Sequence, residues 1–66
     1  MSNRVREKRK NLNLRMIDVA IMSGVGISTI WLAENGYAER VSEKTRKKIA
    51  CALQCSIQEI FPQKEV

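Results

Sequence analysis

The sequence predicts an all-α fold, a compact bundle of five short helices. Three observations carry that expectation. Apolar residues recur at helical spacing, and nowhere does an apolar/polar alternation persist long enough for a strand. Turn-forming residues cut the 66-residue chain into helix-length pieces, at 11–13, Gly24-Val25-Gly26, Asn35-Gly36-Tyr37 and Pro62. The composition, 44% hydrophobic and 29% charged, is that of a globular fold and too apolar for a disordered tail. A domain this small buries only about 60% of the surface its unfolded chain exposes, so its core is small and its stability marginal.

The first helix is expected over Ser2 to Leu12, with Val5 and Leu12 seven apart on one face. The second runs from Met16 to Ser23, with Ile17, Ala20 and Ile21 recurring at i, i+3, i+4 and Gly24 as its left-handed stop. The third covers Ile27 to Asn35, with Ile30 and Ala33 inward and Gly36 as its stop. Ser42 caps a fourth helix, where Glu43 complements the N-terminal dipole and Ile49, Ala50 and Leu53 form the buried face. Ser56-Ile57-Gln58-Glu59 is a capping box that opens a short fifth helix, and Ile57, Ile60 and Phe61 then close the core. Pro62 ends the domain, expected over 1–62, and leaves 63–66 as a tail.

Charge is unevenly spread in this +5 chain. Residues 4–15 hold Arg4, Arg6, Lys8, Arg9, Lys10 and Arg15 against Glu7 alone, and residues 40–48 hold Arg40, Lys44, Arg46, Lys47 and Lys48 against Glu43. Between them, residues 16–39 hold no Lys or Arg, only Asp18, Glu34 and Glu39. Two basic blocks around a mildly acidic middle read as an electrostatic footprint for a polyanion, the alternative being that they are solvated helix faces. Two helices joined by a short glycine turn, lying within that middle at about 16–35, make a helix-turn-helix. Gly24 permits the positive φ, Val25 plugs the turn, and the next helix leaves steeply enough to enter a major groove.

Other functions find little material. With no His, a single Asp (Asp18) and two Cys, no nucleophile–base pair or zinc site can be assembled, so neither an enzyme nor a metal or other cofactor is expected. Cys51 and Cys55 are expected to be small buried apolar residues. No apolar run approaches the ~20 residues of a membrane span. The N-terminal stretch lacks the apolar core of a signal peptide, so the expected location is the cytoplasm. No small-molecule substrate is evident.

Val5, Arg9, Leu12, Leu14, Val19-Ala20, Gly24-Val25, Ser28-Thr29-Ile30 and Glu34-Asn35-Gly36 stand in an order and spacing that resembles the DNA-binding domain of lambdoid phage repressors and Cro proteins, the XRE-type helix-turn-helix group. The resemblance continues through Ile49-Ala50, Ala52-Leu53, Ser56 and Ile60-Phe61 and so covers nearly the whole chain. The middle of the chain is also similar to the headpiece of LacI-type repressors. Those carry a large effector domain for which 66 residues leave no room, and the phage type is preferred.

The phage-type resemblance implies a transcriptional regulator, most simply a repressor, that binds operator duplex as a homodimer through helix 27–35. Arg9 and Glu34 match a mostly buried ion pair, and Glu34, at a helix C-terminus, needs a cation on electrostatic grounds as well. Ile27, Ser28 and Leu32 match positions that face base edges, with Thr29 and Trp31 on the same helix. Asn35 matches a phosphate-contacting loop to which Tyr37 and Arg40 add contacts. Arg15, before the second helix, and Lys44 or Arg46 are further phosphate candidates. Ile57, Ile60 and Phe61 fall where such proteins commonly form a two-fold contact.

This chain departs from the pattern at the recognition helix. Where the family commonly places Gln, Arg, Asn or Lys, it has Ile27, Ser28, Thr29, Trp31 and Leu32. Met16 stands where a phosphate-binding Gln is common, and Gly26 replaces the usual Ser or Thr cap. Three readings of the apolar face stand open. It contacts thymine methyls, with Ser28 and Thr29 supplying the few hydrogen bonds; or Ile27, Trp31 and Leu32 bind a protein partner, as in an antirepressor; or Trp31 folds back into the core.

Overall fold

The computed structural model describes residues 4–61. They form α1 (Val5–Asn11), α2 (Met16–Ser23), α3 (Ile27–Glu34), a single 3₁₀ turn (Ala38–Arg40), α4 (Glu43–Ala52) and α5 (Ile57–Ile60), with no strand among the described residues. The all-α, five-helix expectation holds. Ser2 and Asn3, Pro62 and the tail 63–66 lie outside the described residues, so the expected start of the first helix and the expected end of the domain do too.

One apolar cluster joins all five helices: Val5 from α1, Val19 and Ala20 from α2, Ile30 and Ala33 from α3, Ile49, Ala50 and Leu53 from α4, and Ile60 and Phe61 at the end of α5. The chain closes on itself where the Arg4 amide donates to the Ile60 carbonyl at 3.1 Å. Val5 is buried, but Leu12 is not its partner. The helix ends at Asn11, Asn13 takes a positive φ of 58°, and the reversal carries Leu14 onto the core in place of Leu12. The Leu14 amide, donating to the Arg9 carbonyl at 3.0 Å, fixes that reversal.

Of the i, i+3, i+4 set read in α2, Ala20 alone is buried. Val19 and Ala20 are its buried residues, Met16 packs beside them, Ile17 is exposed and Ile21 is 73% exposed. The helix is apolar nearly all round, so 16-19-20 and 17-20-21 are both i, i+3, i+4 seams and periodicity cannot choose between them. Packing chooses the first, and the Ser23 hydroxyl completes it by donating to the Val19 carbonyl at 2.7 Å.

Gly24 ends α2 at φ 71°, with its amide on the Ala20 carbonyl, and Val25 is buried in the turn. The axis then bends by 116° into α3, the steep exit a helix-turn-helix needs. After α3, Gly36 at φ 90° reverses the chain into the 3₁₀ turn. Ser42 caps α4 by accepting the Thr45 amide at 3.2 Å, and Ile49, Ala50 and Leu53 lie inward as expected. The Ser56–Glu59 capping box is present in both directions. Its bond from the Ser56 amide is the main reason the Glu59 carboxyl is held below the usual carboxylate range.

At the C-terminal end the expected closing of the core by Ile57, Ile60 and Phe61 holds, while two expectations fail, the Ile60 and Phe61 dimer contact and the burial of Cys51. Ile60 and Phe61 are buried within the chain's own core, so neither side chain is available for a dimer contact; Ile57, half-buried, packs against the same core. Cys51 is exposed instead of buried. Cys55 is half-buried, and burial pushes its thiol up from the ordinary value.

Candidate nucleic-acid interface

The site is built on α3. Ile30 and Ala33 anchor it to the core, which turns Ile27, Ser28 and Trp31 outward. Thr29 is half-buried at the flank. Leu32 packs against the core, so it is shared between the interior and the outer face. Trp31 is 47% exposed, which removes the reading that it is core. α2 leaves Ile17, Ile21 and Met22 exposed, and neither α2 nor α3 carries a Lys or Arg.

The acidic groups in this region are largely neutralised. Glu34 has a fully buried side chain whose Oε2 accepts Arg9 Nε at 2.6 Å, while its Oε1 accepts Arg9 Nη2 at 3.2 Å. Arg9 also donates from Nη1 to the Leu14 carbonyl at 2.8 Å, so one guanidinium locks α1, the α1–α2 turn and the end of α3 together. A second cation joins that the sequence reading missed. Arg6 Nε lies 3.4 Å from Glu34 Oε1, and its Nη2 donates to Asn35 Oδ1 at 3.2 Å. The signal was there in the i, i+3 spacing of Arg6 and Arg9, which puts both on one face of α1. Two arginines on one carboxylate leave a net positive cluster, and Arg6 is half-exposed at its edge.

Arg15 is occupied differently. Its Nε and Nη2 each donate to the Asp18 carboxylate at 3.0 Å, and Asp18 Oδ2 also accepts the Arg15 amide at 2.7 Å. These hydrogen bonds, the side-chain ones first, hold the Asp18 carboxyl below the usual carboxylate range and raise the Arg15 guanidinium. A phosphate at the start of α2 would have to compete with this pair.

At the other end of α3, the Asn35 side-chain amide donates back to the Trp31 carbonyl at 2.9 Å. The Trp31 and Tyr37 rings are stacked, 5.9 Å apart and 18° from parallel, and the Arg40 guanidinium lies 5.6 Å over the Tyr37 ring. Lys44 is exposed. Arg46 is turned inward: its Nη2 donates to the Ala38 carbonyl at 2.6 Å and its guanidinium lies 5.6 Å over the Phe61 ring, so it ties α4 to the 3₁₀ turn and to the core instead of facing a ligand.

Among the described residues no three His, Cys, Asp or Glu come together as a metal site, and no single helix is long and apolar enough to cross a membrane. The helix-turn-helix family model matches residues 5–60, nearly the whole described chain. No curated protein matches the sequence.

Proposed function

Because the chain belongs to the XRE-type helix-turn-helix family of DNA-binding regulators, we propose that it is a transcriptional repressor that binds operator duplex as a homodimer. In this reading α3 lies in the major groove and presents Ile27, Ser28 and Trp31 to the bases, with Thr29 and Leu32 at its flanks. Arg6, Arg40 and Lys44, exposed on either side of α3 in the sequence, engage phosphates. The observation that carries the reading is the contrast between an outward α3 face with no charge and the exposed cations of the two segments that bracket it. Phosphates would supply most of the affinity, while the apolar face sorts sequences by contact.

One module contacts about half a site, and two half-sites about one helical turn apart give a dimer its specificity. Occupancy of such a site at a promoter would exclude the transcription machinery. A protein-binding role through Ile27, Trp31 and Leu32 has less support, since Leu32 is half committed to the core and a protein partner has no need of two basic segments.

The test is a filter-binding titration of duplex DNA at several salt concentrations. Log affinity should fall linearly with log salt, with a slope near −0.9 for each phosphate neutralised. A flat response would count against duplex binding altogether.

A further inference from the structure

Trp31 is the one tryptophan in the chain and one of only three aromatic residues, yet it stands half in solvent. Its neighbours hold it there. Tyr37, itself 41% exposed, stacks on the indole, and Arg40 lies over the Tyr37 ring. The Asn35 side chain secures the Trp31 carbonyl, and Arg6 in turn secures Asn35. An exposed aromatic ring fixed before any partner arrives loses little conformational entropy on binding, as befits an anchor. The α3 face around it carries no exposed charge: Ile27, one helical turn earlier, is exposed and apolar, and the nearby Glu34 carboxylate is buried against two arginines, while the exposed cations Arg6 and Arg40 stand at its edge, on Asn35 and on the Tyr37 ring.

The major groove of a duplex is polar except for one kind of group, the methyl at C5 of thymine. 5-Methylcytosine carries the same methyl at the same place. We propose that Trp31 is a contact for pyrimidine C5-methyl groups and that Tyr37 is a positioning residue that sets the indole by ring stacking, not a phosphate ligand through its hydroxyl. The proposal rests on the duplex-binding reading above. It adds the chemistry the face selects and predicts sensitivity to cytosine methylation as well as to thymine.

The experiment uses pairs of alternating duplex polymers that differ in the methyl alone: poly(dA-dT) against poly(dA-dU), and poly(dG-dC) against its 5-methylcytosine counterpart. Wild-type protein should bind the methylated member of each pair about fourfold more tightly for each methyl buried. Trp31→Ala should bind both members alike, at the level of the unmethylated one. Tyr37→Phe should keep the preference. Tyr37→Ala should lose it, and should also speed the anisotropy decay of Trp31 fluorescence in the free protein at an unchanged far-ultraviolet spectrum. Equal wild-type affinity within both pairs overturns the methyl contact and leaves duplex binding intact. Tyr37→Phe behaving as Tyr37→Ala overturns positioning by stacking. Failure to retain any of the four polymers overturns this inference together with the reading it rests on.

Discussion

Replacing Arg9 by Met removes a cation and three donors while keeping most of the buried stem. Two of those donors serve the carboxylate of Glu34, whose side chain has no exposed surface, and the third serves the Leu14 carbonyl. Removing one partner of a buried ion pair costs about 3–5 kcal/mol, because the other charge stays buried without compensation. The low end applies here, since Arg6 Nε remains 3.4 Å from Glu34 Oε1 and takes up part of the charge. A chain of this length has a total stability of roughly 3–10 kcal/mol, so the loss is a large fraction of the whole. With a urea m-value of about 1 kcal/mol/M for so small a domain, the midpoint should fall by about 3 M, read by circular dichroism and Trp31 fluorescence together.

The companion variant carries Arg9→Met and Glu34→Met. It removes both charges at once and should recover most of the lost stability, as buried pairs replaced by apolar groups of similar volume commonly do. Arg6→Ala alone should cost no more than about 1 kcal/mol, because half of that side chain is in water. A cost below about 1 kcal/mol for Arg9→Met, or a double variant no more stable than the single one, would refute the view that Glu34 depends on Arg9.

Gly24→Ala should destabilise by about 1–2 kcal/mol through the left-handed φ of 71° alone, since an added Cβ meets nothing within 4 Å; a loss much beyond that range in thermal melts would point to a packing clash instead. Gly26→Ser should stabilise by a few tenths of a kcal/mol, because Gly26 is an uncapped N-cap at φ −62°, ψ 148° with open space for a side chain. A lower melting temperature for that variant would contradict the assignment. Asp18 is held below its unfolded value by Arg15, so its stabilising effect is complete above about pH 4 and is lost as pH falls through the depressed folded value. Asp18→Asn should therefore melt below wild type at neutral pH and converge with it in acid, and a difference that persists unchanged into acid would refute the pairing.

Legibility in the sequence followed how far polar residues break the symmetry of each helix. In α4 the run Lys44, Lys47 and Lys48 against Ile49, Ala50 and Leu53 leaves one possible inside, and the structure has that inside. In α2 the apolar residues go round the cylinder, and only packing against α3 and α4 decides that Val19 faces in and Ile21 out. The Ser56–Glu59 capping box and the glycine stops are local in sequence and were readable; so was the need of Glu34 for a cation. What escaped were contacts across turns that local rules do not describe. Tyr37 meets Trp31 only because Gly36 reverses the chain, and Arg46 reaches Ala38 across the 3₁₀ turn. Ile60 and Phe61 look the same in sequence whether they face a partner or their own core, and in the structure both belong to the chain's own apolar cluster.

If α3 meets DNA as proposed, its amides are where a duplex is felt first. An amide chemical-shift titration with a short duplex of mixed sequence tests it residue by residue. The largest shifts are expected over residues 26–32 and 36–44 and at the Trp31 indole N–H, with α5 nearly silent. Shifts confined to α1 and α5, with the α3 amides and the indole unmoved, would contradict it.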